Sequence, residues 1–315
     1  MTVDFIDARR QLERRDRSLR DKTTDATTAL RLVEDGDHIA IGGCLYSRTP
    51  MALLFELLRQ GQRDLQLSRC LTCYEGELFL ATGACRHVVT SWMGFGAPWG
   101  MSRILRQMVE SGETVFDEWS HLGIGMRYRA AAMGVPFLPM LSMLGSDLME
   151  HTDARQMDCP FTGQRLCLVP ALFPDVALIH VHRADPYGNA QIDGYRHMDT
   201  DVVRAARTVI VSAEEIVDPE RMRREPDRTV IPHFAVDALV EAPMGAYPHE
   251  CYGLYDADFD HFDAYAKRVR DDGLEGVRAY VAEHVTALDS FDDFLDHFPL
   301  TVALRHRRIG RELVR

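Results

Sequence analysis

The sequence predicts an α/β protein with an open, mostly parallel sheet flanked by helices and a helical C-terminal tail. Three observations lead there. Short apolar runs of strand length alternate with helix-length segments, and that alternation calls for crossover connections and a sheet covered on both faces. The chain has 315 residues, 46% of them hydrophobic, enough to bury a substantial core. Beyond Asp258 the composition turns helical and ends on a basic cluster, Arg305-His-Arg-Arg308.

Residues 1–21 are rich in arginine and aspartate and poor in apolar anchors, which suits an exposed arm within reach of a partner. The α/β domain is expected over 22–257 and a helical extension over 258–315. Thr24 to Val33 is amphipathic, Asp35-Gly36-Asp37 a turn, and His38 to Ile41 a short apolar strand. The loop Gly42-Gly-Cys-Leu-Tyr-Ser-Arg-Thr49 then leads to Pro50, a residue suited to the first turn of a helix running to about Gln60, and Gly61 ends it. Strands follow near Leu65 to Leu71 and His87 to Ser91, a helix near Met101 to Ser111, a strand near Thr114 to Phe116, and a helix through Ala130 to Met133. The segment from Gly134 to Arg165, with its glycines, prolines and polar residues, reads as long loops, where sites are often built. A second cycle has strands at Leu166 to Val169 and Asp175 to His182, a tight turn at Asp185 to Asn189, a helix at Asp199 to Arg207, and a strand at Thr208 to Ser212.

The formal charge of −12 argues against a nucleic-acid partner, because an acidic chain repels a phosphate backbone. No apolar run approaches the roughly 20 residues that span a bilayer, and the opening Met1-Thr-Val-Asp-Phe-Ile-Asp is too polar for a signal peptide. A cytoplasmic protein with no membrane contact is expected. Seven cysteines, an odd number, point to reduced thiols. Cys70-x-x-Cys73 lacks a second pair at ligand spacing, so no metal site is expected from it.

Several local patterns could carry chemistry. Gly42-Gly43 after a strand lets a ligand approach the backbone, the helix at Pro50 offers partial positive charge to an anion, and Arg48 adds a guanidinium. A tight turn with a solvated arginine accounts for the same residues. Gly145-Ser146 could hold an acyl or carboxylate group through N–H and hydroxyl donors, or could simply be a turn. Glu75-Gly76-Glu77, just after a strand, is the best placement for a covalent carboxylate, though solvated loop glutamates look alike. Glu118 and His121 could form an acid/base pair or cap a helix. His180 and His182 share one strand face, where they could bind metal or pack in the core. Glu214-Glu215 falls where such a sheet presents residues at its carboxyl edge, and capping is the alternative.

Taken in order, these segments resemble the class I coenzyme A-transferases, and among them the A-type half of glutaconate CoA-transferase. The resemblance covers roughly Ala26 to Asp258. It rests on Asp35-Gly-Asp-His-Ile-Ala-Ile-Gly-Gly43, Arg48-Thr-Pro50, Phe55-Glu-Leu-Leu-Arg-Gln-Gly61, Ala130-Ala-Ala-Met-Gly-Val-Pro-Phe-Leu-Pro139, Gly145-Ser146, Asp175-Val-Ala-Leu-Ile-His180 with Asp185-Pro-Tyr-Gly188, Val236-Asp-Ala-Leu-Val-Glu-Ala-Pro-Met-Gly-Ala246, and Cys251-Tyr-Gly-Leu-Tyr-Asp256. It implies an open α/β fold and no permanently bound cofactor, with a coenzyme A thioester as substrate. It further implies a B-type partner chain, in a heterodimer or α2β2 assembly, whose glutamate becomes a glutamyl-CoA thioester. This chain has Leu71-Thr-Cys-Tyr-Glu-Gly76 where that partner carries Glu-Ser/Asn-Gly. The resemblance assigns Gly42, Gly43, Arg48, Gly145 and Ser146 to substrate binding, with Glu77 near the same mouth. A related branch cleaves ring-derived β-diketone CoA esters with an acidic residue near Glu118 to His121. A non-catalytic chain that only binds acyl-CoA is the third reading.

Overall fold

The computed structural model describes residues 4–96, 98–298 and 300–312. The first three residues of the polar opening segment lie outside them. Seven strands form one parallel sheet: β1 (His38–Ile41), β2 (Leu65–Arg69), β3 (Cys85–Thr90), β4 (Val115–Glu118), β5 (Val176–Val181), β6 (Thr208–Ala213) and β7 (Ala238–Glu241). Their spatial order is β7-β6-β5-β1-β2-β3-β4. The chain builds outward from β1 to one edge, then returns to place β5 on the other side of β1. Sequence order therefore reverses between β1 and β5, and crevices for ligands form outside the carboxyl ends of strands at such a point.

Alternation along the central strands divides the core between two faces. Ile39, Ile41, Val176 and Leu178 face one cluster, which holds α1 (Met51–Gln60), α2 (Tyr74–Ala81) and the long helix Phe259–Val281. Ala40, Ala177, Ile179 and Val181 face the other, with α3 (His121–Met133) and α4 (Asp199–Ala205). Both β1 and β5 are buried throughout, as strands covered on two sides must be.

The two sheet edges differ. Along β7, Thr24 N–H donates to Leu239 O (2.8 Å) and Leu239 N–H to Lys22 O (2.9 Å), so a short stretch after the N-terminal arm covers that edge. The arm itself forms a helix, Phe5–Glu13, capped by Asp4, and Arg15 reaches Asp237 at 3.0 Å. Along β4 no strand pairs on the outer side among the described residues, and Val115 is exposed there.

Two expectations change. The segment 134–165, read as loops, contributes the strands Phe137–Met140 and Arg155–Asp158, which flank Arg165–Pro170 in an antiparallel sheet. Pro139 disguised the first of these, yet it lies on an edge strand, where a missing N–H is tolerated. The Glu75–Glu77 segment is α2, not a loop. All eight of its residues are buried, so it lacks the one-sided periodicity that announces a helix. The helical tail is present as expected. Its last helix, Leu300–Glu312, presses Gly310 against Tyr255, where a Cβ would stand 2.6 Å from the Tyr255 backbone. Among the described residues no helix is long and apolar enough to cross a membrane.

Candidate functional site

At the carboxyl end of β1 the chain turns sharply through Gly42-Gly43 into the loop that precedes α1. Gly43 has φ +67°, and a Cβ there would stand 1.9 Å from Ser47 O, so the turn itself requires glycine. Gly42 N–H donates to Leu178 O (2.9 Å) and Gly43 N–H to Asp199 Oδ1 (2.7 Å), which commits both donors within the protein. Arg48 is fully buried. Its Nη1 donates to Asp199 Oδ2 (2.6 Å) and His180 O (3.0 Å), and its Nη2 to Tyr195 O (2.7 Å). The arginine thus ties the end of β1 to the end of β5 and the start of α4.

A second buried arginine grips the same loop from β2. Arg69 Nε donates to Gly42 O (3.1 Å), Nη2 to Thr49 Oγ1 (3.0 Å), and Nη1 to Glu75 Oε1 (2.6 Å). Glu75 is fully buried and its Oε1 also accepts from Cys73 N–H (3.1 Å). Its other oxygen stands 3.6 Å from His249 Nε2. Burial, and then the Arg69 charge, hold His249 well below the ordinary histidine range. Glu77 is buried two residues further along α2 and accepts from Ser102 and from Tyr265 (3.0 Å). Burial dominates these hydrogen bonds and raises its carboxyl to about 7.

His180 projects from β5, and His182 follows the strand's last residue. His180 shares its ring nitrogens with Ser212 Oγ (2.9 Å) and Glu214 Oε1 (2.8 Å). Burial works to raise the Glu214 carboxyl, but hydrogen bonds from His180, Tyr255 and Met244 N–H outweigh it and hold the group below its usual range. His182 lies against Tyr252 O and Asp193 N–H, and burial lowers it to about 4. Glu215 is exposed and pairs with Arg221. Glu118 ends β4 in solvent, while Ser120, not Glu118, caps α3. His121 opens that helix with Nδ1 3.5 Å from Ser91 Oγ. Gly145 and Ser146 occupy an exposed turn of the antiparallel lobe, where Ser146 Oγ donates to Met143 O (2.8 Å). No hydrogen bond among the described residues joins them to the Gly42–Arg48 cluster.

Gly42, Gly43 and Arg48 are therefore brought together at the switch point, with Glu75 and Glu77 buried behind them. Asp199 and Arg69 complete the cluster and were not singled out by sequence. Asp199 read as an ordinary helix-start acid, and Arg69 as a strand residue. Two groups of side chains could hold a metal ion, Cys73–Glu75–His249 and His180–Glu214–Cys251. All seven cysteines are free thiols.

A doubly wound sheet with a diglycine turn clamped by Arg48 and Arg69 at its switch point defines an α/β protein. Residues 23–242 match the coenzyme A transferase family, and the chain belongs to it. It is 34% identical to the A-type half of glutaconate CoA-transferase from Acidaminococcus fermentans, over 86% of this chain and 89% of that one. The crystal structure of that transferase superimposes with a TM-score of 0.85 over 90% of this chain and 94% of that one, at 33% identity. The A-type half of 3-oxoadipate CoA-transferase from Pseudomonas knackmussii is 33% identical over 84% of this chain and 93% of its own. An uncharacterized protein of Archaeoglobus fulgidus is 38% identical over 90% of this chain, and the match spans 64% of that protein's length. Likeness to the cholesterol ring-cleaving hydrolase IpdA subunit of Rhodococcus jostii is weaker, 30% over 73% of this chain and 81% of its own.

Proposed function

We propose that this chain is the A-type half of a hetero-oligomeric CoA-transferase of the cytoplasm. With a B-type partner, as a heterodimer or α2β2 assembly, it moves CoA between an acyl-CoA and a carboxylic acid. The glutamyl-CoA thioester forms on the partner. One observation carries this reading: Glu75, the chain's best-placed carboxylate for that role, is fully buried and held by Arg69 at 2.6 Å. A carboxylate so enclosed cannot reach a thioester carbonyl, so the nucleophile has to come from elsewhere. This half then shapes the acyl-CoA crevice. Gly42, Gly43 and Arg48 act as positioning residues for its floor, and Gly145 and Ser146 contribute an outer wall.

The test is to incubate the reconstituted pair with acyl-CoA, trap the enzyme thioester by borohydride reduction, and locate it by peptide mass spectrometry. The modified glutamate is expected on the partner chain. Modification at Glu75 would overturn the reading. Adding a free dicarboxylate separates transfer from hydrolysis, because only a transferase delivers CoA to the second acid.

A further inference from the structure

Where α2 begins, two neighbouring side chains meet a third from far along the chain, all with no access to solvent. The Cys73 thiol, the Glu75 carboxylate and the His249 imidazole each offer a ligand atom, and those atoms lie within 4.8 Å of one another. Their hydrogen bonding is incomplete. Glu75 Oε2 and both ring nitrogens of His249 have no partner among the described residues. A buried polar atom left unpaired costs about 1–3 kcal/mol, and here three such atoms occur in two adjoining side chains. The His249 ring is bordered by Tyr46, Tyr74 and Phe262, and the Ala246 backbone offsets little of its burial.

The spacing is informative. His249 Nε2 and Glu75 Oε2 are 3.6 Å apart, too far for a hydrogen bond. Two ligands on a tetrahedral ion with bonds of about 2.0–2.1 Å stand roughly 3.3–3.5 Å apart. Glu75 is also held as a metal-binding carboxylate is commonly held. Oε1 accepts from Arg69 and from Cys73 N–H, which fixes the group and leaves Oε2 free.

We propose that Cys73, Glu75 and His249 form a binding site for one divalent cation of the zinc class. Sulfur, imidazole and carboxylate together suit Zn2+ and its neighbours, not Mg2+ or Ca2+, which take oxygen ligands. The Cys73 thiol gives up its proton to solvent as the metal–sulfur bond forms. Cation, thiolate and carboxylate then sum to zero charge, and Arg69, whose carboxylate partner is Glu75 itself, leaves the cluster with one net positive charge. The other trio behaves differently. Both nitrogens of His180 and both oxygens of Glu214 already have hydrogen-bond partners, Ser212, Tyr255 and Met244 N–H among them. A metal there would have to break those bonds. The site ties the start of α2 to the turn before Cys251 with three protein ligands, one fewer than a closed structural zinc site has, and it is independent of which acyl-CoA the enzyme uses.

The experiment uses the full chain, chelator-treated and then titrated with Zn2+ by calorimetry and with Co2+ by absorption spectroscopy. The expected result is about one ion per chain, a near-ultraviolet thiolate-to-Co2+ band, and a melting temperature that rises with metal. Cys73→Ser and His249→Gln each weaken binding tenfold or more, and Cys251→Ser leaves it unchanged. If the wild-type chain binds neither ion, or binds Co2+ without the thiolate band, the proposal is overturned. Loss of the band in Cys251→Ser overturns it too. Should Cys73→Ser or His249→Gln fail to fold, a chain that keeps Cys73 as its one cysteine is expected to retain the band, and its loss there overturns the proposal.

Discussion

Two arginines with almost no access to solvent fix the loop 42–49, Arg48 from within it and Arg69 from β2. Truncating one leaves its carboxylate buried without a cation, which typically costs about 3–5 kcal/mol. Arg48→Ala is accordingly expected to lower the denaturation midpoint sharply. Arg48→Lys keeps the charge but loses the fork that bridges Asp199, His180 O and Tyr195 O, so it should raise the acyl-CoA KM more than it lowers kcat. Ser146→Ala is the opposite case. Its hydroxyl is exposed and bonded only to Met143 O, so stability should move by no more than about 0.5 kcal/mol, while the KM rises. An unchanged KM removes Gly145 and Ser146 from the crevice wall. Glu77 adds a pH signature. Its carboxyl stands at about 7 when folded against 4.5 when free, so the folded state binds the proton more tightly. Its stabilisation is full below about pH 4.5 and is lost as pH rises to about 7, each unit being worth about 1.4 kcal/mol. Glu77→Gln should flatten that slope in stability curves measured across this window. Sequence placed Gly42, Gly43 and Arg48 in the turn after β1 but not what Arg48 touches, because its partner Asp199 is 151 residues away.

Among the elements, the last helix depends on a single small residue. At Gly310 an added Cβ meets the backbone of Tyr255, which cannot swing aside as a side chain could. Gly310→Ala should therefore lift the helix 300–312, at a cost of about 1–3 kcal/mol, and hydrogen exchange should show faster labelling there and around Asp256. The first six parallel strands and α1 were legible because alternation, the Pro50 start and the Gly61 stop agree with burial in the folded chain, whereas the edge strand β7 was not expected. The helix α2 was not, since a helix buried on every side has no polar face to reveal its period. The Phe137–Met140 strand was hidden by Pro139, which only an edge position makes acceptable.

At the scale of the molecule, the sheet is closed on one side and open on the other. Lys22 and Thr24 satisfy the outer edge of β7, whereas β4 keeps a free edge with Val115 beside it. Deleting residues 1–21 should leave a folded chain that loses the Arg15–Asp237 pair. Deleting residues 1–25 should bare the β7 edge and promote self-association, measurable by light scattering. The architecture was readable because strand–helix alternation largely dictates it. Which edge is covered was not, because residues 1–21 looked like a free arm and nothing in their composition tied the stretch that follows to Leu239.

That pairing also sets a timetable for the nascent chain. The backbone that Thr24 must bond, at Leu239, emerges roughly two hundred residues after it, and Gly310 follows Tyr255 by roughly fifty residues. At about 5–20 residues per second the first of these waits lasts about 10–40 s. For most of that interval β1 lacks its β5 neighbour, and the Lys22–Thr24 stretch has nowhere to lie. The half-made protein thus presents unpaired backbone to the cell for far longer than an isolated domain of local contacts would, and its yield should respond to translation speed and to chaperone supply.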